Sequence, residues 1–487
     1  MLPFIFPVVT GLPLREKMST VDTAWLRMDS DSNLMMIVAV LMFDRPINAD
    51  RFRQMLVQRF LPYKRFRSRV IQSFGTSWWE QQDVDLNQHV IVRRLKSALP
   101  NNKAALEQMV SQLAATPLDP DLPLWQMHMV NNCIGVDGKQ RQAIIIRIHH
   151  CIADGIALVG VLLSMFDASY DAEPQSPPMV KQRAEQAEEN PWLQIMQPVT
   201  KTAISAINLS GLVWTKYLWM LADPAKFAER VSGAGKVTTR FAQDAARLAL
   251  MPVDTHTRLK GKPQGVKHIA WSEPLPLAEV KVIGRALGAS INDVLMASVA
   301  GAIGGYLRDK GDAVASNSLL RAMVPVNLRR SGRQQKLGNA FGLVPLLLPV
   351  GLEDPIARLN DVRHRMGELK DGYQALVAMV LLGVLGATPK QMQVEVQNYF
   401  ARRATMVMSN VPGPQAPLFL AGSQLDQIMF WVPQSGDVGV GVSILSYNGG
   451  VQFGIVTDAA LVDDPQLIIN RFAPEFEKFV MLALMAE

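Results

Sequence analysis

The stretch His149-His150-Cys151-Ile152-Ala153-Asp154-Gly155 constrains this chain more than any other. It follows the apolar run Ala143-Ile144-Ile145-Ile146-Arg147-Ile148, which reads as a buried strand. It precedes Ile156-Ala157-Leu158-Val159-Gly160-Val161-Leu162-Leu163, whose apolar residues recur at helical spacing. Asp154 stands where a helix cap belongs and Gly155 where a tight turn belongs. The pattern predicts two histidines at a strand-to-helix junction, where the strand end fixes a side chain closely and the following turn opens toward a cleft.

Imidazole, with an unperturbed pKa of about 6.5, suits proton transfer near neutral pH, so a general base is the natural reading of the pair. Two other readings stand beside it: a satisfied histidine of the core, and a metal ligand. A metal site needs three or more ligands at a workable spacing, and His89, His128, His256, His268 and His364 form no such cluster with Cys133 or Cys151. No Gly-x-Ser-x-Gly elbow is present, which disfavours a serine hydrolase.

His-His-x-x-x-Asp-Gly resembles the active-site signature of the CoA-dependent acyltransferase superfamily. That group takes in chloramphenicol acetyltransferase, peptide-synthetase condensation domains and the bacterial wax ester synthase/diacylglycerol acyltransferases. Four further phrases resemble the last of these. They are Ser19-Thr20-Val21-Asp22-Thr23-Ala24-Trp25-Leu26, Pro123-Leu124-Trp125, the Asn292-Asp293 pair within Ser290 to Ala297, and Ser409-Asn410-Val411-Pro412-Gly413-Pro414. The resemblance runs from Met18 almost to the C-terminus.

It implies an α/β fold of two chloramphenicol-acetyltransferase-like domains with a tunnel between them. Residues 1–17 would be an N-terminal extension and 18–171 the acyltransferase domain bearing the histidine motif. Residues 172–255 would be a linker and helical connection, and 256–487 a C-terminal acyltransferase-like domain. The length of 487 residues, too great for one ordinary core, agrees with two domains of roughly 200 residues each.

By the same resemblance, His150 removes the proton of an acceptor hydroxyl as it attacks an acyl-CoA thioester, and later returns a proton to the departing thiolate. His149 is secondary, Asp154 holds the loop through hydrogen bonds or an arginine partner, and Gly155 makes the turn. Such base catalysis is worth ~10²–10⁴-fold, so positioning and oxyanion stabilisation supply the rest. No metal, cofactor or covalent acyl-enzyme is implied, acyl-CoA being a substrate. Ser409 or Asn410 is the candidate oxyanion donor. Asn292 or Asp293 caps a helix, and a plain cap explains the pair as well as a role in aiming that helix at the cleft. Turn chemistry alone accounts for the Asn-Val-Pro-Gly residues equally. Arg329, Arg330, Arg333 and Lys336, on a basic loop before Gly338-Asn339-Ala340-Phe341-Gly342, are candidates for contacts to CoA phosphates.

The net charge of +6 asks for an anionic partner, and CoA phosphates, an anionic membrane face or nucleic acid would each serve. The basic residues are scattered and no nucleic-acid module is evident, which excludes that class. Two cysteines build no disulfide framework and fit a reducing compartment, hence the cytoplasm. No run of about 18 uncharged apolar residues marks a membrane span. The apolar start, Met1 to Val9, lacks a basic region and carries two prolines, so it does not read as a secretory signal.

Strands are predicted over Leu34–Phe43, through Trp78 and Trp79, over Val266–Trp271, Leu319–Asn327, Gly439–Leu445 and Val451–Thr457. Helices are predicted over Ala49–Phe60, Lys103–Ala115, Leu277–Leu287, Pro355–Leu369, Ala375–Leu385 and Pro465–Met485. Ala172 to Pro191 reads as a linker. Trp192 to Leu221 reads as an apolar helix that either rests on a membrane or lipid-inclusion surface or packs between domains. The segment Leu259-Lys260-Gly261-Lys262 and the extension before Met18 depart from the family pattern. The acceptor is expected to be a long-chain fatty alcohol or a diacylglycerol. The competing readings are a condensation-type enzyme using carrier-protein thioesters and a catalytically idle lipid-surface protein.

Overall fold

In the computed structural model the apolar run ahead of the histidines is a strand, Gln140–His149, buried from Gln142 onward. Its β-branched side chains suit that place, since they pack against neighbours on both faces of a pleated surface. The structure describes residues 14–73, 75–95, 102–135, 137–167, 169–170, 236–328, 337–339, 341–370 and 374–486.

Among these residues the strand lies inside a six-stranded sheet. The order is Phe419–Leu420, Ser423–Trp431, Met36–Phe43, Gln140–His149, Trp125–Ile134, Val90–Arg94. A second sheet runs Phe341–Leu348, Leu320–Asn327, Met406–Pro412, Val440–Tyr447, Gly450–Asp458, Lys267–Trp271, with Leu275–Pro276 paired beside Gly450–Asp458. A small third sheet joins Arg15–Lys17, Thr76–Gln81 and Ser68–Ser73. Each large sheet has its own apolar core. The halves nevertheless exchange a strand: Ser423–Trp431, late in the chain, pairs antiparallel with Met36–Phe43. A division of the sequence at one residue does not reveal this, because a strand's partner is not written in its own period.

Other elements went unpredicted or took another form, among them these two. Lys390–Ala401 is a helix. The helix expected over Ala49–Phe60 is α-helical only to Met55, then widens into a π-helical turn, Leu56–Phe60. There Arg59 turns inward to the Met165 carbonyl and the Asp167 carboxylate, at 2.9 and 2.7 Å.

The helix Gln374–Ala387, apolar all round, leaves burial or a membrane as its options, and it is buried against Thr20–Arg27. Gly386 permits this approach, since any Cβ there would overlap the Thr20 carbonyl oxygen. Among the described residues no single helix is long and apolar enough to cross a membrane. The apolar segment Trp192–Leu221 lies outside the described residues, as does most of the linker.

Candidate active site

Side chains alternate across a strand, so consecutive histidines at its end face opposite ways. The ring of His150 joins Ile146 and Ile148 on one side. His149 faces a separate pocket with Asp29, Met36 and Leu118. The backbone is fixed by neighbours: the His149 N–H donates to the Leu124 carbonyl at 2.9 Å and the His150 N–H to the Met35 carbonyl at 2.7 Å. The chain turns through His150, Cys151 and Ile152, and a helix, Gly155–Met165, begins. Asp154 caps it, its Oδ1 accepting the Ala157 N–H at 2.9 Å. Gly155 is therefore the first helical residue and not the turn; its φ is not positive, and His150, Cys151 and Ile152 already reverse the chain.

The cavity before His150 spans about 1220 Å³ including its open mouth. It lies between the two large sheets. Ile37, Ile148 and Phe430 of the first form one wall, and Leu343, Val411 and Leu445 of the second the other. Polar groups are few, among them His150, Asp154, Asn327, Ser409 and Asn410. Such a space suits a long apolar ligand with reacting atoms held at one end.

His150 is 4 % exposed. Burial disfavours its charged form and, with a smaller push from His149, lowers its pKa to about 4, against the opposing pull of the Asp154 carboxylate and of its own carbonyl oxygen. The ring is thus neutral near pH 7. Its Nδ1 is sealed from solvent, with that carbonyl and the Asn339 side chain beside the ring, which leaves Nε2 to exchange protons with a ligand. His149 differs. Its Nδ1 accepts the Cys151 N–H at 3.1 Å, and its Nε2 lies 3.7 Å from Asp29. Asp29 also accepts the Met35 N–H at 2.6 Å, so it steadies the strand end that receives His150.

Around the loop runs a clamp that sequence reasoning did not assign. Asp22, 1 % exposed, accepts from Arg65 Nη2 at 2.8 Å and from Asn339 Nδ2 at 2.9 Å. Arg65 Nη1 donates to the Ile152 carbonyl at 2.7 Å, and Asn339 donates to the His150 carbonyl at 2.9 Å. One carboxylate thus holds both carbonyls of the turn through two intermediaries. The only signal in the sequence was that Asp22 sits in the phrase Ser19 to Leu26, Arg65 in the basic run Lys64 to Arg69, and Asn339 in the Gly-Asn turn. Trp25 and Phe341, from the first and last of these, flank the His150 ring with centroids at 4.3 and 5.4 Å.

The remaining candidates divide. Asn410 and Ser409 line the cavity, in the middle of the strand Met406–Pro412 rather than at its end. Asn410 Nδ2 donates to Asn292 Oδ1 at 2.7 Å, which brings those two predicted residues together. Asp293 makes a capping box with Ser290 and is tied to that plain helical role. Trp125 is buried with its Nε1 donating to the Phe66 carbonyl at 2.9 Å, an orienting contact away from the cavity. Arg329, Arg330, Arg333 and Lys336 lie outside the described residues. Among those described, no three His, Cys, Asp or Glu side chains are grouped so as to hold a metal ion.

Comparison with known proteins identifies the family. The sequence model of the wax ester synthase/diacylglycerol acyltransferase catalytic domain matches residues 18–295, and that of the family's C-terminal domain matches 337–479. A Mycobacterium tuberculosis protein described as a probable diacylglycerol O-acyltransferase is 25 % identical over 458 residues, covering 92 % of each chain. Among solved structures, a wax ester synthase/diacylglycerol acyltransferase from Marinobacter aquaeolei superposes with a TM-score of 0.66 at 19 % identity, covering 96 % of this chain and 100 % of that one. The first condensation domain of the CDA synthetase superposes at 0.59 and 14 %, with 96 % of both chains covered. The two-sheet fold is shared with these structures, and the matched sequence spans more than half the chain, so the protein belongs to the wax ester synthase/diacylglycerol acyltransferase family and is an acyltransferase.

Proposed function

We propose that the protein transfers a long-chain acyl group from acyl-CoA to the hydroxyl of a fatty alcohol or a diacylglycerol, with His150 as general base. The observation that carries this is the neutral, buried His150 ring on the wall of an apolar cavity between the two sheets. Its Nε2 takes the hydroxyl proton as the oxygen attacks the thioester carbonyl. The tetrahedral intermediate then collapses, the carbon–sulfur bond breaks, and the same proton passes to the departing sulfur, giving an ester and free CoA thiol. Ser409 or Asn410, on the facing wall, supplies a hydrogen bond to the oxyanion. Arg329, Arg330, Arg333 and Lys336 are proposed to meet the CoA phosphates. The related mycobacterial protein's description and the family name favour these acceptors.

A cytoplasmic protein resting against the inner membrane face or a lipid inclusion fits so lipophilic a product. Met481, Leu484 and Met485, exposed by 62 %, 65 % and 81 % on the C-terminal helix, support the contact.

Purified protein with palmitoyl-CoA and either hexadecanol or dioleoylglycerol, with no carrier protein present, is expected to release CoA thiol and form the ester. His150→Ala abolishes most of that release. No thiol release with either acceptor overturns the reading. Activity only with a carrier-bound thioester would favour a condensation-type enzyme instead.

A further inference from the structure

The pair of rings formed by Trp25 and His150 is more than packing. Their centroids are 4.3 Å apart and their planes 20° from parallel, so the indole covers one face of the imidazole. Phe341 stands 5.4 Å off at 44°, a looser second neighbour from the other half of the chain. Trp25 is 4 % exposed and borders the cavity. Its Nε1 is buried without a hydrogen-bond partner, so hydrogen bonding to the protein does not account for an indole here. What remains is the ring face.

That face has a use that follows from burial. A sealed, uncharged imidazole is always ready to accept a proton, but the imidazolium it becomes has lost its water. The charged and titratable neighbours are few. The Asp154 carboxylate favours the cation yet already caps the helix through Ala157, while His149 opposes it. Asp22 is engaged by Arg65 and Asn339. The negative face of the indole quadrupole is the surface in contact with the ring itself.

We propose that Trp25 is a positioning residue of the reaction: its indole face holds the His150 imidazole in the orientation for proton transfer and takes up part of the positive charge that the ring acquires. This rests on the reading of His150 as the general base. Trp25 is itself held firmly, since Gln393 Nε2 donates to the Ala24 carbonyl at 2.7 Å and Gly386 lets the helix Gln374–Ala387 press on Thr20.

The test is a double-mutant cycle on the full-length protein, with palmitoyl-CoA and hexadecanol as probes and thiol release as the readout. Trp25→Phe keeps an aromatic face and is expected to retain kcat within about threefold, whereas Trp25→Leu loses it on the order of thirtyfold, the size of a desolvated cation–π contact. The KM for palmitoyl-CoA stays within about twofold in both, because the contact forms with the base and not with the thioester. In a His150→Ala background, Trp25→Leu has no further effect. Trp25→Met, apolar, unbranched and better able to fill an irregular gap, replaces the leucine variant should that one not fold. An equal loss from Trp25→Leu with and without His150 overturns the inference alone. So does an equal loss from Trp25→Phe and Trp25→Leu. Full activity in His150→Ala overturns the base reading, and this inference with it.

Discussion

Asn339 and His150 stand 189 positions apart in the chain, yet the Asn339 amide donates to the His150 carbonyl at 2.9 Å while also donating to Asp22. The second half of the molecule thus grips the turn that carries the histidine. Asn339→Ala is expected to lower kcat about tenfold with little change in KM, since the loss of both hydrogen bonds loosens the base without touching the cavity wall. Steady-state kinetics with saturating acyl-CoA check this; an unchanged kcat means the loop is held adequately by Arg65.

Asp22 is the hub of the same clamp, and removing it leaves Arg65 without its carboxylate in a mostly buried place. Asp22→Ala should cost roughly 3 kcal/mol of unfolding free energy, and Asp22→Asn less, because the amide oxygen still accepts from one partner. Denaturant unfolding of both variants decides, and equal stability for the two would show that the charge is not what matters.

The acidic side of the pH profile follows from burial. With His150 lowered to about 4, the base stays neutral down to about pH 5, so kcat/KM should be flat from neutrality to there and fall as protonation proceeds near pH 4. Stability moves with it. An unfolded histidine titrates near 6.5, so between that pH and about 4 the unfolded chain binds protons that the folded one refuses, and stability declines as pH falls through this window. His128, lowered to about 3 by burial and by Arg93 and Arg147, adds to the same decline. Glu107, pushed up to about 7 by burial, takes up its proton earlier in the folded chain and works the other way over the same range, so the sign is tested by difference. Unfolding at fixed temperature from pH 7.5 to 4.5 should show the wild type losing stability relative to His150→Ala as pH falls, and a gain relative to that variant would contradict it.

Gly386 is the point where two helices meet backbone to backbone. Gly386→Ala forces the helix that carries Asp22 and Trp25 to shift. It should destabilise the protein by about 2 kcal/mol and lower activity together, whereas Gly383→Ala, whose added carbon would meet side chains at 3.8 Å, should do neither. Thermal unfolding and thiol release on the two variants make the comparison.

Asn410 lines the cavity and is oriented by Asn292. As an oxyanion donor its loss in Asn410→Ala should reduce kcat on the order of a hundredfold, and Asn292→Ala by less, since that change only frees the amide to turn. Neither is expected to alter the thermal midpoint much, as the pair is exposed to solvent. Full activity in Asn410→Ala would pass the role to Ser409.

The sequence by itself determined the strand, turn and capped helix around His149 to Gly155. Each rests on a local rule: an apolar run of β-branched residues, an aspartate whose oxygen meets an orphan amide, and a helical period after it. It also determined the family, through phrases that survive as residues in order. It did not show which residues surround the base. Asp22, Arg65, Asn339, Trp25 and Phe341 reach His150 from three separate segments, and no period or cap relates positions so far apart.

Strand alternation parts the two histidines, but only the tertiary structure decided which of them faces the cavity between the sheets and which faces Asp29. It alone carried Ser423–Trp431 across to the first sheet, where Phe430 closes the cavity wall, because backbone groups at a sheet edge accept whichever strand the rest of the chain presents. Proton affinity followed the same division: imidazole chemistry was legible from the residue type, but the shift to about 4 came from burial, which only the assembled halves impose.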